Sequence, residues 1–123
     1  ELKKELNKKE SSNDIFKKLN EQYFGNKIEI KSIEYSTDQN RRFGSCSVKE
    51  KTIRISHRLA EMPEWVRDYV IVHEMAHILQ PNHSQAFWDI VSRYKLTERS
   101  RGYLIAKGME TVEDLPSEKE EQK

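Results

Sequence analysis

Residues 73–83 read His-Glu-Met-Ala-His-Ile-Leu-Gln-Pro-Asn-His and hold three of the chain's four histidines. His73 and His77 are four residues apart. On a helix that spacing sets their Cβ atoms on one face, roughly 6 Å from each other. Two imidazoles so placed can converge on one ion at about 2 Å per bond. Glu74 is turned by about 100° from His73 and does not join them in the same way. Its carboxylate reaches instead for a water held by the ion, the arrangement written H-E-x-x-H. A catalytic metal of this kind takes three protein ligands and keeps a fourth position open. His83 is the third candidate, because Pro81 and Asn82 break the helix and let the chain turn back. Three imidazoles suit Zn2+. The expected site is therefore His73, His77 and His83 on zinc, with Glu74 as the general base.

A lone histidine on a helix is ordinarily a core or surface residue. The surroundings argue against that here. From Tyr69 to Leu79 the only polar residues are His73, Glu74 and His77. Tyr69, Val72, Ala76 and Leu79 make one apolar stripe, and Ile71, Met75 and Ile78 make another. A helix apolar nearly all round is buried. A buried polar group, above all a carboxylate, is costly unless something receives it. The spacing of the three histidines equals that of the metzincin proteases, with Gln80 where they have glycine, which points to a different turn between His77 and His83.

The elements that must position these groups follow from pattern. Asn13 or Ser12 caps a helix running to about Phe24, with Ile15, Phe16, Leu19, Tyr23 and Phe24 at helical spacing and Gly25-Asn26 as its stop. Lys27 to Tyr35 alternates as a strand with a slip near Lys31-Ser32. Residues 37–40 read as a turn. Arg42 to Val48 forms a second strand and Thr52 to Ser56 a third, giving an antiparallel meander. The histidine-bearing helix runs from about Pro63 to Leu79 or Gln80. A further helix spans Ser84 to Tyr94, and a last one Glu98 to Ala106, closed by Gly108. The fold class is α+β: a short antiparallel sheet of about three strands packed on an active-site helix, with flanking helices.

The bulk numbers bound the rest. A chain of 123 residues makes one domain. We place it at 13–108, with a charged extension at 1–12 and an acidic, mobile tail at 109–123. The balance of 22 Lys+Arg against 21 Asp+Glu gives no general pull towards nucleic acid or anionic membrane. Lys3, Lys4, Lys8, Lys9, Lys17, Lys18, Arg41 and Arg42 read as a solvated face, since no aromatic residues interleave them. Cys46 is the single cysteine, so no internal disulfide forms. No apolar run approaches the roughly 18 residues of a membrane span. No signal-peptide pattern is visible, and the default compartment is the cytoplasm. The chain opens on Glu1 and not on Met, which reads as a trimmed or excised sequence.

Arg42-Phe43-Gly44-Ser45-Cys46-Ser47, Thr52-Ile53-Arg54-Ile55, Tyr69 to His77, Asn82-His83-Ser84 and Phe87-Trp88 together resemble the YgjP-like (DUF45) metallopeptidases, relatives of the SprT-like and WLM-domain zincins. The resemblance runs from about Leu19 to Leu104 in the right order. Phe43 stands where the family often has Trp, and Met75 where it often has Leu; both stay apolar. It implies a small zincin that cleaves peptide or protein substrates, with His73, His77 and His83 on Zn2+ and Glu74 as base. Other classes stay open at this point: a zinc-binding module without turnover, or a protease acting on nucleic-acid-bound proteins. Tyr103, Arg101 and His57 are candidate oxyanion donors. Asp68 or Asp89 is a candidate to orient a ligand ring. Phe87 and Trp88 are expected to pack behind His83. Thr52 to Ser56 is the expected sheet edge for a substrate strand.

Overall fold

The computed structural model describes residues 11–37 and 42–107. The expectations for Asp38 to Asn40, for Gly108, for Lys3, Lys4, Lys8, Lys9 and Arg41, and for the tail lie outside the described residues. The first helix, α1, spans Ser12–Phe24. Its cap is Ser11, one residue before the expected position, whose hydroxyl accepts from the backbone N–H groups of Asn13 and Asp14. Ser12 is instead buried and donates to the Ile33 carbonyl at 3.0 Å, tying the helix to the sheet. Gly25 ends α1 in the left-handed conformation, φ 60°.

Strand β1 is Ser32–Ser36, shorter than the alternating pattern suggested. Ile28 is buried as the alternation requires, but its backbone is claimed by a side chain. The buried Asn20 amide donates to the Ile28 carbonyl at 2.8 Å and accepts from its N–H at 3.1 Å. Asn20 thus supplies both hydrogen bonds that a neighbouring strand would have made. Strand β2 is Gly44–Ser47, shorter at both ends than the expected Arg42 to Val48, and β3 is Thr52–Ser56, as expected. A tight turn joins β2 to β3, with Lys51 at φ 58° and its N–H on the Ser47 carbonyl.

The sheet is not the expected meander. Its order is β1-β3-β2, with β1 parallel to β3 and β2 antiparallel to it. Alternation fixes which face of a strand is buried and says nothing about its neighbour. Ile33 pairs with Ile53 and Tyr35 with Ile55, so the greasy faces of β1 and β3 match in this parallel register. All four of those side chains are buried. The tight β2–β3 turn takes the other side of β3. That makes β3 the central strand, so the expected substrate edge at Thr52 to Ser56 is wrong: β3 has a paired strand on each side.

A 3₁₀ turn, His57–Glu61, leads into α2, Glu64–Leu79, against which both β2 and β3 pack. Every residue from Tyr69 to His77 is buried. Leu79, expected on an apolar stripe, lies beyond the core and is 45% exposed. Helix α3, Gln85–Val91, stops three residues short of Tyr94, since the next backbone bonds, Arg93 to Ile90 and Tyr94 to Val91, tighten to i→i−3. Helix α4 is Thr97–Ala106. The Tyr94 hydroxyl and the Ser100 hydroxyl both donate to the Trp65 carbonyl, at 2.8 and 3.3 Å, and pin this C-terminal pair of helices to the start of α2. No helix among the described residues is long and apolar enough to cross a membrane.

Candidate metal centre

The geometry of α2 brings His73 and His77 onto one face, their ring centroids 5.1 Å apart. The helix ends at Gln80 in extended conformation, φ −135°, and the chain turns through Pro81 and Asn82. Ser84 then caps α3, its hydroxyl accepting from the Phe87 N–H at 3.3 Å. Between these two anchors His83 folds back, with its ring 5.5 Å from that of His73 and 4.8 Å from that of His77. All three rings are buried, and each offers one ligand atom such that the set lies within 4.8 Å. That is within reach of a common ion.

Phe87 fills the space behind the cluster. It stacks on His77 at 4.4 Å and meets His73 and His83 edge-on at 4.9 Å each. Trp88 stacks on His83 at 6.0 Å. The expectation that Phe87 and Trp88 pack behind His83 therefore understates Phe87, which touches every ring of the trio.

Two hydrogen bonds orient the rings. His77 Nδ1 lies 3.2 Å from the Gln80 carbonyl. A carbonyl only accepts, so the proton is on Nδ1 and the lone pair on Nε2. The Tyr69 hydroxyl lies 3.4 Å from His73 Nδ1 and can hold that ring in the same sense. Asp68 and Asp89, considered from sequence for this task, are engaged elsewhere: Asp68 with Arg67 at 2.9 Å and Asp89 with the Gln85 amide at 2.8 Å. Tyr69 is legible in retrospect as one helical turn before His73. Nothing in the sequence marks the Gln80 carbonyl.

Electrostatics favour neutral imidazole here. Burial holds His73 well below the usual histidine range, and the His77, His83 and Arg101 charges push the same way. A metal ligand must be neutral, so this is the protonation state the chemistry needs. Nε2 of His73, Nε2 of His83 and Oε1 of Glu74 are all shut off from solvent.

Glu74 itself is 1% exposed and lies under β2. The absence of a side chain at Gly44 makes the room: a Cβ there would come within 3.1 Å of Glu74 Oε2 and 3.2 Å of its Cγ. The expectation of close approach along Gly44-Ser45-Cys46 is realised at Gly44, and the neighbour it admits is the carboxylate. Of the oxyanion candidates, Arg101 is the one whose charge acts on His73. Tyr103 packs against Trp65 at 5.6 Å, and His57 opens the 3₁₀ turn.

A three-stranded mixed sheet over a helix that carries buried histidines is the build of a small metallopeptidase. The chain belongs to the YgjP-like metallopeptidase family, whose domain model matches residues 2–98. No curated protein matches it. Two solved structures share the fold. One is the metallopeptidase zymogen abylysin of Pyrococcus abyssi, with a TM-score of 0.63 and 20% identity over 80% of this chain and 97% of that one. The other is the metallopeptidase zymogen jannalysin of Methanocaldococcus jannaschii, with a TM-score of 0.65 and 22% identity over 81% of this chain and 99% of that one.

Proposed function

We propose that this metallopeptidase is zinc-dependent, that His73, His77 and His83 hold the ion, and that Glu74 is the general base. The observation that carries this reading is the gathering of three buried imidazoles within 4.8 Å, on and just beyond the helix that also buries Glu74. The family membership sets the reaction class as peptide hydrolysis. We take residues 13–108 as the unit that performs it.

Zinc, when bound, supplies a Lewis acid that polarises the scissile carbonyl and acidifies a water. The remaining work falls to the chain. Gln80 and Tyr69 fix the rings so that their Nε2 lone pairs converge. Glu74 takes the proton of the attacking water and returns it to the leaving amine. Its burial under β2 keeps bulk water from competing.

Two variants test the assignment. Glu74→Gln should keep its zinc, measured by elemental analysis, while peptide hydrolysis falls by about 10²–10⁴-fold. Cleavage at the wild-type rate would remove Glu74 from the mechanism. His83→Ala should lose stoichiometric zinc, and a wild-type protein that takes up no divalent ion would overturn the whole reading.

A further inference from the structure

The near balance of charge over the whole chain hides a local excess. Residues 92–107 carry five Lys+Arg and a single acid, Glu98. Within that segment Arg99, Tyr103 and Lys107 recur every four residues and so share one flank of α4. Trp65, from the start of α2, stands against the same flank. The Arg99 guanidinium lies over the Trp65 indole, 4.9 Å from the ring centroid. Trp65 meets Tyr103 edge-on at 5.6 Å. The Lys107 ammonium lies over the Tyr103 ring at 5.5 Å. Cations and aromatics thus interleave here through space, although nothing in the spacing of the sequence brings Trp65 to α4.

Both rings are half-buried and both cations are exposed. Among the described residues neither cation is paired with a carboxylate. Glu98 is turned by about 100° from Arg99 on the helix, and it faces Arg101 at 3.5 Å. The base of the ladder is held firmly, because the Trp65 carbonyl accepts from the Tyr94 and Ser100 hydroxyls at 2.8 and 3.3 Å. A guanidinium stacked on an indole presents a flat cationic face outward. The Lys107 ammonium follows two turns along, roughly 12 Å further on the axis of α4. A flexible strand with unpaired bases and a phosphate at every step matches both features: π-faces for the rings and the guanidinium, anions for the two cations. A duplex hides its base faces, and an acidic peptide has none.

We propose that this flank of α4, with Trp65, is a docking surface for single-stranded nucleic acid, bound through stacking and phosphate contacts without base readout. Trp65 lies eight residues before His73 on α2, and the surface contains none of the candidate metal ligands. It therefore stands or falls separately from the zinc-peptidase reading.

The test is fluorescence anisotropy of a labelled oligothymidylate of about twenty nucleotides, titrated with the full chain at several salt concentrations. Affinity should fall as salt rises, with a slope in log–log form of at least about −1.4 for two phosphates neutralised. Arg99→Gln and Lys107→Gln, both at exposed positions, should each make the slope shallower by about 0.7. Tyr103→Leu, which keeps an apolar side chain and loses the ring, should weaken binding at least about fivefold with an unchanged slope. The same sequence in duplex form should bind more weakly than the single strand, and poly-glutamate should not displace the probe. Zinc content and peptide cleavage should stay at wild-type levels in Arg99→Gln. No binding at low salt, a slope untouched by both cation variants, or a duplex bound as tightly as the single strand overturns the surface. Displacement by poly-glutamate overturns it in favour of an acidic protein partner. A chain that binds the strand and takes up no zinc overturns the metal-centre reading alone.

Discussion

Replacing Gly44 by alanine would place a methyl carbon 3.0 Å from the Arg54 carbonyl oxygen, 3.1 Å from Glu74 Oε2 and 3.2 Å from Glu74 Cγ. Ordinary carbon contacts begin at about 3.5 Å, so the clash is a few tenths of an ångström on two sides. The Arg54 carbonyl belongs to the central strand, where backbone pairs on both flanks resist movement. Glu74 is the softer neighbour, and its carboxylate must give way. Overpacking of this kind costs about 1–3 kcal/mol. A shift of the base approaching 1 Å costs up to about 10²-fold in rate. His73 and His77 belong to the same helix but are not in the path of the new methyl. The variant should therefore retain stoichiometric zinc, melt several degrees lower, and lose ten- to a hundredfold in kcat with a smaller change in KM. The assay is zinc content and thermal unfolding beside steady-state cleavage of a peptide that the wild type cuts. Full activity with an unchanged Tm would mean that Gly44 does not control the Glu74 position. Loss of zinc would mean that β2 positions the ligands rather than the base.

Gly102 gives the opposite expectation: nothing lies within 4 Å of an added Cβ in the middle of α4, so Gly102→Ala should stabilise the protein by about 0.5–1 kcal/mol, read as a raised urea midpoint. Acid should destabilise the metal-free protein. His73 binds a proton in the unfolded chain near its ordinary value of 6.5 but in the folded protein only well below it, so the unfolded state holds more protons in between. The stability it contributes is complete above 6.5 and is lost as pH falls, at up to about 1.4 kcal/mol per pH unit for one proton; urea melts at pH 7 and pH 5 check the slope, and His73→Gln should flatten it. Zinc should raise stability by mass action, about 4 kcal/mol at a thousandfold excess over Kd, so chelation should lower the Tm of the wild type more than that of His83→Ala.

Where the sequence was legible, one periodicity translated directly into geometry. The 3.6-residue turn puts His73 and His77 together and turns Glu74 aside, so the composition of one helix announces its chemistry. Alternation likewise marks Ile53 and Ile55 as buried and Arg54 as outward, which the structure repeats. His83 was a weaker inference, resting on a broken helix, and the structure shows the means: an extended Gln80 before it and a Ser84 cap after it. What could not be read depends on pairings between distant segments. The order β1-β3-β2 is one, because a strand's own sequence names its buried face and not its partner. Asn20 replacing a strand at Ile28 is another, since a buried amide in a helix has no local signature of the backbone it will bind. The Arg101–Trp88 stack joins two helices and is invisible to spacing within either.

The parts of the centre differ in how firmly they are held, and that difference follows from where each comes from. His73, Glu74 and His77 share a helix whose buried run allows no rigid rotation without disturbing the whole core. Their mutual geometry is thus set by the backbone hydrogen bonds of α2 rather than by any one contact. His83 is carried by a short loop, and its position depends on Phe87, which meets all three rings at once. Phe87 is therefore the residue through which packing of the small C-terminal helices reaches the ligand set. The Tyr94 and Ser100 hydroxyls, both on the Trp65 carbonyl, brace those helices against the start of α2 and close the loop mechanically. A core of this size has few side chains to spare, and here the same aromatic that completes the hydrophobic packing also brings the third imidazole to the other two.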